Sequence, residues 1–506
     1  LVKFTTAVNN TGNAVDASVV TYTPAGTGAV PTNVQTKLRE TVSVMDFGAV
    51  GDGIADDTAA IQAAIDAHRG KIFFPVGTYL VSSTIKLKPE RIFIGEGAGA
   101  YFAGTGYDRI SVIKPAAGFS DADVIRADPA DVSSGLSYTY GIAIRDLLID
   151  CINIKDDLKT IVKLASASNC ETFDSVRIIN NNNSVALDIG ISANVSAYES
   201  DGLSFNNIYC LQADSGHSYT TALLKLASCN EISFRDSKFQ RGADPTVANT
   251  ISTLLSAVAG RAINAVTFDS CSFTGAEVGL RIQGNAADGQ GPRWIRVQNC
   301  TFEGPKYPIY VSGDSTRPVQ FCTFGTGNRF ISLAAGGQAI TLDAYASNNT
   351  VYADEYTDVL TNTNSQSNTI YGGATVTLNG TDNARLFRNT NKIDANGFYI
   401  ESWISATPGS SWSNASPANR TSLSYRKDSF GNVYLQGNLS GGSWGYPNYV
   451  FTLPVGYRPP AAKTQELPAN GASGVAVKIV VADDGNVWGV GSGASLILDG
   501  IRFSTT

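Results

Sequence analysis

The chain holds one methionine, two histidines and seven cysteines among 506 residues, and each shortage excludes something. The methionine is Met45, so Leu1 is not a natural start and an N-terminal piece is expected to be missing. His68 and His217 are far apart in sequence and no Cys-x-x-Cys pair occurs, so no zinc site suggests itself. The odd set of cysteines lies between Cys151 and Cys322, which suits reduced, buried thiols and folding in a cytoplasm. Only 16% of residues are charged, and the net charge of −7 argues against nucleic acid and anionic membrane as partners. No run is long and apolar enough to span a membrane, so membrane insertion is not expected. Glycine, in contrast, is plentiful at 50 residues, in a chain too long for one ordinary core.

Six segments can be laid over one another: Ile144–Ile149, Phe173–Ile178, Phe205–Cys210, Phe234–Phe239, Phe268–Phe273 and Val297–Phe302. In each, an apolar residue is followed two places on by Asp, Ser or Asn, and five places on by another apolar residue. The starts are 29, 32, 29, 34 and 29 residues apart, the period of a solenoid. Alternation within the segments is that of strands. The repeating unit is therefore a β-coil, and the fold class is all-β, a right-handed parallel β-helix. Asp146, Ser175, Asn207, Asp236, Ser270 and Asn299 are expected to stack at a polar corner. The positions three and five places on are expected inside. A second strand recurs at Thr160–Leu164, Ala222–Leu226, Val278–Ile282 and Pro308–Val311.

Residues 1–40, rich in Thr, Asn, Val and Gly, read as an extended neck. An Asp-rich stretch with Asp46, Asp52, Asp56 and Asp57 follows, then a short helix over 59–68 and a strand and turn over 71–79. The strings DFGAVGDGIADDTAAIQAAIDA, GKIFFPVGTYLVSSTI and IFIGEG closely resemble the opening of the pectate-lyase-type β-helix domain of bacteriophage tailspikes and capsule depolymerases. The preceding VTYTPAGTGAVPTNVQTKLRETVSV resembles the neck that joins such domains to a virion-attachment head. That resemblance implies structural roles for the four aspartates, a helix covering the open end of the coil, a homotrimer, and a place in the phage tail after synthesis in the bacterial host cytoplasm. The β-helix is expected over 41–377, with main coils at about 90–330 and narrower ones at about 331–377, where Thr350 and Thr369 repeat at 19 residues. Beyond 378, short strands between turn residues read as a C-terminal antiparallel β-sandwich. The segment Phe451–Pro459 resembles one recurrent in C-terminal domains of tail fibres, which hold chains together or bind sugar. Core packing is the first expectation for Trp403, Trp412, Trp444 and Trp488.

Chemistry is expected in the loops between strands. Four residues past the last column stand Asn182, Asp214, Ala243 (with Asp244 next), Glu277 and Lys306. Acids at nearly one position on adjacent coils, about 4.8 Å apart, offer a donor and base for glycosidic cleavage. Asp214, Asp244 and Glu277 are thus the first catalytic candidates, with Glu303, Glu199 and Asp201 in reserve. Arg241, Arg281 and Lys306 would bind an acidic sugar, with His217 beside Asp214. Asp236 and Asp269 read as structural or outward.

The resemblance and the acids together imply a spike that depolymerises capsular or O-antigen polysaccharide by two-carboxylate hydrolysis, without a cofactor or metal. A β-eliminating lyase for a uronic-acid polymer is the alternative enzyme, and a glycan-gripping spike without cleavage the alternative of another class. Close acids favour cleavage; exposed aromatics over the coil face favour gripping.

Overall fold

In the computed structural model the description covers residues 16–99, 109–132, 136–152, 160–180, 184–192, 198–212, 222–242, 250–256, 261–284, 291–325, 327–353, 357–361, 365, 367–372, 376–378, 385–387, 403–409, 411–415, 421–428, 431–471 and 476–505. Two compact units divide the chain, 1–385 and 386–506.

The first unit is a parallel β-helix of three long sheets. Each main coil contributes one strand to each in turn: Cys229–Arg235 to sheet A, Lys238–Arg241 to sheet B and Ile251–Ser256 to sheet C. The next coil then returns to sheet A at Ile263–Asp269. Neighbouring coils pair in parallel, as Phe205 with Phe234 and Phe234 with Phe268.

The polar corner between sheets A and B has a definite backbone cause. Asp146, Ser175, Asn207, Asp236, Ser270 and Asn299 all adopt left-handed φ, between 49° and 56°. A short polar side chain tolerates that region better than most. From it each N–H reaches the next coil: Asp146 to Asp174 O at 3.1 Å, Ser175 to Asn206 O at 3.1 Å, Asn207 to Arg235 O at 3.0 Å and Asp236 to Asp269 O at 3.1 Å. The ladder at the corner is thus made by main chain, and the side chains are chosen for the turn.

Inside, Phe173, Phe205, Phe234 and Phe268 stack at 4.9, 4.6 and 5.2 Å between ring centroids. A second stack, Phe239, Phe273, Phe302 and Phe330, runs at 5.5, 4.8 and 5.4 Å. All seven cysteines are free, and six are buried. Burial pushes the thiols of Cys151, Cys210 and Cys229 up, and that of Cys322 to about 12. In the narrower coils buried Asn349 and Asn368 replace apolar filling. Each side-chain oxygen accepts a main-chain N–H, Cys322 N–H on Asn349 and Asn349 N–H on Asn368, both at 2.9 Å. Thr350 pairs with Thr369 in register.

The N-terminal end is closed by the helix Thr58–Ala67, which buries Ile61, Ala64 and Ile65. Its aspartates serve turns. Asp46 takes part in a capping box with Ser43, and Asp52 accepts from Ile54 and Ala55 N–H at 2.8 Å. Asp57 holds the N-cap position, yet its carboxylate turns back to Val50 and Gly51 N–H. Asp56 accepts the Thr58 N–H instead, at 3.0 Å. The stretch read as an extended neck contains more structure than expected. Thr21–Tyr22 pairs with Thr32–Asn33, and Asn33 caps a short helix, Val34–Leu38, through Thr36 N–H at 2.7 Å.

The second unit packs a four-stranded and a seven-stranded antiparallel sheet around Trp412, Leu435, Phe451, Ile479 and Phe503. Trp412 is core, as expected; Trp444 packs against it edge-on at 5.3 Å.

Exposed Asp236 isolates the corner requirement from packing. Asp236→Val is expected to cost about 1–2 kcal/mol, because a β-branched residue resists left-handed φ, whereas Asp236→Gly costs close to nothing. Denaturant midpoints of the two variants, compared with the parent, check this.

Candidate functional site

Sheet C presents one row of outward side chains across successive coils. In register it reads Lys86, Arg126, Lys163, Asp188, Lys225, Leu254, Arg281, Tyr310, Thr341 and Leu360. The position is outward because the residues on either side, such as Leu280 and Ile282, are fully buried.

The row divides into two chemically different halves. In the N-terminal half, cations and acids satisfy one another. Arg126 forks onto Asp131 with two 2.7 Å bonds and reaches Asp123 at 3.4 Å. Lys86 lies 3.6 Å from Asp131, and Lys225 4.0 Å from Asp188. Burial pushes the carboxyls of Asp123 and Asp188 up, against the pull of Lys163 on both. In the C-terminal half the cations have aromatic supports instead. Arg281 lies over the Tyr310 ring at 5.4 Å and Lys306 over the Tyr307 ring at 5.1 Å. The two rings meet edge-on at 5.8 Å. The Tyr310 hydroxyl donates to the Asp343 carboxylate. Burial, reinforced by Asp343, pushes the phenol up, so its proton stays in place at neutral pH. Among the described residues Arg281 Nε is buried with no hydrogen-bond partner. Behind them Ala222, Ile251 and Val278 form an apolar floor.

This brings together Arg281, Lys306 and Glu277 from the sequence-derived candidates. Val278 pairs with Tyr307, so Glu277 stands beside Lys306 on the next coil. On the coil before, the neighbour of Glu277 is Thr250, whose hydroxyl accepts the Glu277 N–H at 2.7 Å. Counting forward from sheet B puts residue 243 at that place, because the connection there is longer by seven residues. Asp214, Asp244 and His217 lie outside the described residues. Glu303 is exposed at the end of Thr301–Glu303 in sheet B, beside Thr274. Glu199 and Asp201 sit on another face, at the start of a sheet A strand. Glu199 accepts from Ala262 N–H and Asp201 from Asn230 Nδ2, each at 3.3 Å.

Arg241 requires a correction. It is only 2% exposed, and its guanidinium donates to Gln212 Oε1 at 2.7 Å and to Ile251 O at 2.8 Å. A surface contact with sugar is therefore not its place; it ties sheet B to sheet C from within. Tyr307, Tyr310 and Asp343 were missed. So was Tyr209 on sheet B, which has Arg177 and Lys238 each 5.4 Å from its ring centre. The signal for Tyr310 was present: it continues the column Lys163, Lys225, Arg281 of the recurring second strand.

Residues 41–281 match the family model of rhamnogalacturonase A/epimerase, pectate lyase-like. Over those residues the chain is similar to that pectate lyase-like family. Plasmin and fibronectin-binding protein A of Streptococcus pneumoniae is 56% identical over 52 residues, 9% of this chain and 7% of that protein. Mannuronan C5-epimerase AlgE5 of Azotobacter vinelandii is 44% identical over 68 residues, 11% of this chain and 7% of the epimerase. Alginate lyase 7 of the same organism is 38% identical over 114 residues, 21% of this chain and 12% of the lyase. The chain thus spans only a small part of these relatives. Among solved structures, the tailspike protein of E. coli bacteriophage HK620, in complex with a pentasaccharide, aligns over 96% of this chain and 98% of its own at 14% identity, with a TM-score of 0.37. The N-terminal fragment of bacteriophage Phi29 gene product 12 aligns over 69% and 67% at 12% identity, with a TM-score of 0.41.

The raised carboxyl of Asp188 gives a signed pH dependence. Its neutral form is favoured in the fold, so its stabilising contribution is whole below the ordinary carboxylate range and is lost as pH rises through the raised value. Asp188→Asn should therefore gain in melting temperature over the parent as pH goes from about 4 to neutral. Melts of both proteins across that window test this, and a constant difference would refute it.

Proposed function

We propose that this protein is a polysaccharide-cleaving spike of the phage tail, and that the sheet C face around Arg281 and Tyr310 grips an acidic glycan. The observation that carries this reading is the pair of cations held on tyrosine faces and not in ion pairs among the described residues. A cation supported this way keeps its charge for a ligand, while the tyrosine gives a sugar ring an apolar surface. The matching relatives named for mannuronan and alginate, both uronic-acid polymers, support an acidic substrate.

Within this face the residues favour β-elimination over hydrolysis. Among the described residues, the carboxylates beside Lys306 and Tyr310 are Glu277 and Asp343. Asp343 follows Leu342, which pairs with Val311, so it stands in the row of Ser312 and Gln283, six strand positions beyond Glu277. At about 3.3 Å per residue that is roughly 20 Å. A hydrolytic pair needs about 5–9.5 Å. Elimination needs a cation to neutralise the uronate, a base to take the proton beside it, and an acid for the leaving oxygen. Arg281 and Lys306 supply the first. Tyr310, which retains its proton, supplies the last. For the base this reading keeps the candidates of the sequence, Asp214, His217 and Asp244, which lie outside the described residues. The trimer, the virion setting and the choice of capsular or O-antigen glycan belong to this reading as well.

Alginate, polygalacturonate and purified bacterial capsules, incubated with the chain, separate the cases. Shortened products that absorb in the ultraviolet as unsaturated uronates are expected. Arg281→Ala should raise KM about 10- to 100-fold, the worth of one charge-assisted bond. Tyr310→Phe should lower kcat by about 100-fold. Shortening without absorbance would mean hydrolysis and return the argument to Asp214, Asp244 and Glu277. Binding without shortening would leave a gripping spike.

A further inference from the structure

Sheet B carries an outward row of its own. At the first outward position of each strand it reads Arg177, Tyr209, Lys238, Ser272, Thr301 and Arg329, in register on successive coils. The residues that follow in each strand, such as Phe239 and Phe273, are fully buried, so the row itself faces out. Arg177 and Lys238 stand on the coils before and after Tyr209, and each places its charged end 5.4 Å from the centre of that ring. The two like charges are thus at most twice that distance apart. The ring is held in place by its hydroxyl, which donates to Gln240 Oε1 at 2.7 Å.

Among the described residues the side chains of Arg177 and Lys238 make no ion pair and no hydrogen bond, and their charged nitrogens are open to solvent. Arg329, at the far end of the row, is exposed and likewise without an ion pair. Two cations that share one ring repel one another, and a ring replaces a counter-ion only in part. The chain has 44 acidic side chains, yet among these outward positions of sheet B, from Arg177 to Ile331, the one acid is Glu303, two coils from Lys238. The row is therefore complementary to an anion from outside. Its length selects among anions. Arg177 and Arg329 are five coil steps of about 4.8 Å apart, roughly 24 Å, far more than a small inorganic ion spans. Between the cations, Ser272 and Thr301 offer hydroxyls, which suit a ligand that both donates and accepts.

We infer that this row of sheet B is a second, non-catalytic track for an acidic polysaccharide lying along the coil axis, with acidic groups on Arg177, Lys238 and Arg329 and hydroxyls on Ser272 and Thr301. That the anion is a glycan rests on the reading of the sheet C face; that an extended anion binds here rests on this row alone. The track holds polymer on the protein, so it acts on affinity for long chains and leaves the turnover of short ones unchanged.

The test uses the full chain carrying Arg281→Ala, which weakens the sheet C face, and titrates it calorimetrically with sized oligomers of alginate and polygalacturonate. Dextran and inorganic phosphate serve as controls. Binding should strengthen with oligomer length, and Arg177→Gln combined with Lys238→Gln should weaken it about 10- to 100-fold, the order of a charge-assisted bond. Ser272→Asp sets a counter-ion beside Lys238 and should weaken binding about tenfold without removing a cation, which keeps the test open if the double variant does not fold. With Arg281 intact, the double variant should keep the parent's kcat on short oligomers. Length-dependent binding that the double variant loses, in a parent that cleaves nothing, removes the sheet C reading and leaves the track. Cleavage lost in Arg281→Ala, with binding untouched by the double variant, removes the track alone. No binding of any oligomer, equal binding of dextran, or phosphate bound as tightly as the oligomers overturns the inference. So does a shift of the double variant to smaller species in sedimentation without weaker oligomer binding, which makes the row a contact between copies.

Discussion

Six successive coils, from Asp146 to Asn299, turn from sheet A into sheet B through one residue of left-handed φ, and the stacking of the first unit depends on that turn. It aims the N–H of Asp236 along the stack to Asp269 O, and the same bond recurs at Asp146, Ser175 and Asn207. Once that corner repeats, the residues after it are forced into one register. Two positions on from Asp236, Lys238 must point out; the next, Phe239, must join the internal stack. The phenylalanine columns then follow from geometry. Identical rings one strand spacing apart can lie face over face, as Phe234 does on Phe205 and Phe268, and still fill the interior.

The same constraint makes the outer surface a set of rows. A residue at a given strand position meets its counterpart on the next coil about 4.8 Å away, whatever lies between them in sequence. Functional groups are therefore composed coil by coil. Arg281, Tyr310 and Thr341 are about 30 residues apart in sequence yet adjacent in sheet C. Where acids stand within reach of the row, as Asp131 beside Arg126 and Asp188 beside Lys225, the charges are spent on one another. Among the described residues neither Arg281 nor Lys306 is in an ion pair, although Glu277 stands in register beside Lys306, and each cation rests over a tyrosine ring. A ring satisfies a cation only in part, because its attraction is weaker than that of a carboxylate and leaves the N–H groups unbonded.

The columns were legible in the sequence because a solenoid repeats its physical requirements. Asp, Ser or Asn two places after an apolar residue marks the left-handed corner, and Phe or Cys beyond it marks the interior. The site was legible only in part, for a reason that lies in the connections. Counting forward from sheet B carries the phase only as far as the loops keep one length. Between Phe273 and Val278 the loop is short and the count lands on Glu277; between Phe239 and Ile251 it is longer and Thr250 takes that position. Counting back from the sheet C strand would have kept the phase, and the column Lys163, Lys225, Arg281 was already in view there. Arg241 misled for another reason. Its column contains Asn180 and Gln212, both fully buried, so a long polar side chain in that row is an internal tie.

Buried polar groups and exposed cations thus carry opposite meanings on this scaffold. Arg241 is inside with its donors bonded, and its removal would leave Gln212 Oε1 and Ile251 O without the guanidinium that now reaches them. Arg281 is only partly covered, rests on a ring, and has a buried Nε with nothing to bond. A folding chain gains nothing from an unmatched donor at that place, since a neutral residue would fill the space without the desolvation cost. A ligand can meet Arg281 only through its exposed part, since the Nε itself is closed to solvent. The proposed glycan is therefore assigned to Arg281, over its ring, and not to Arg126, whose donors are bonded to Asp131, although both stand in the same row and carry the same charge.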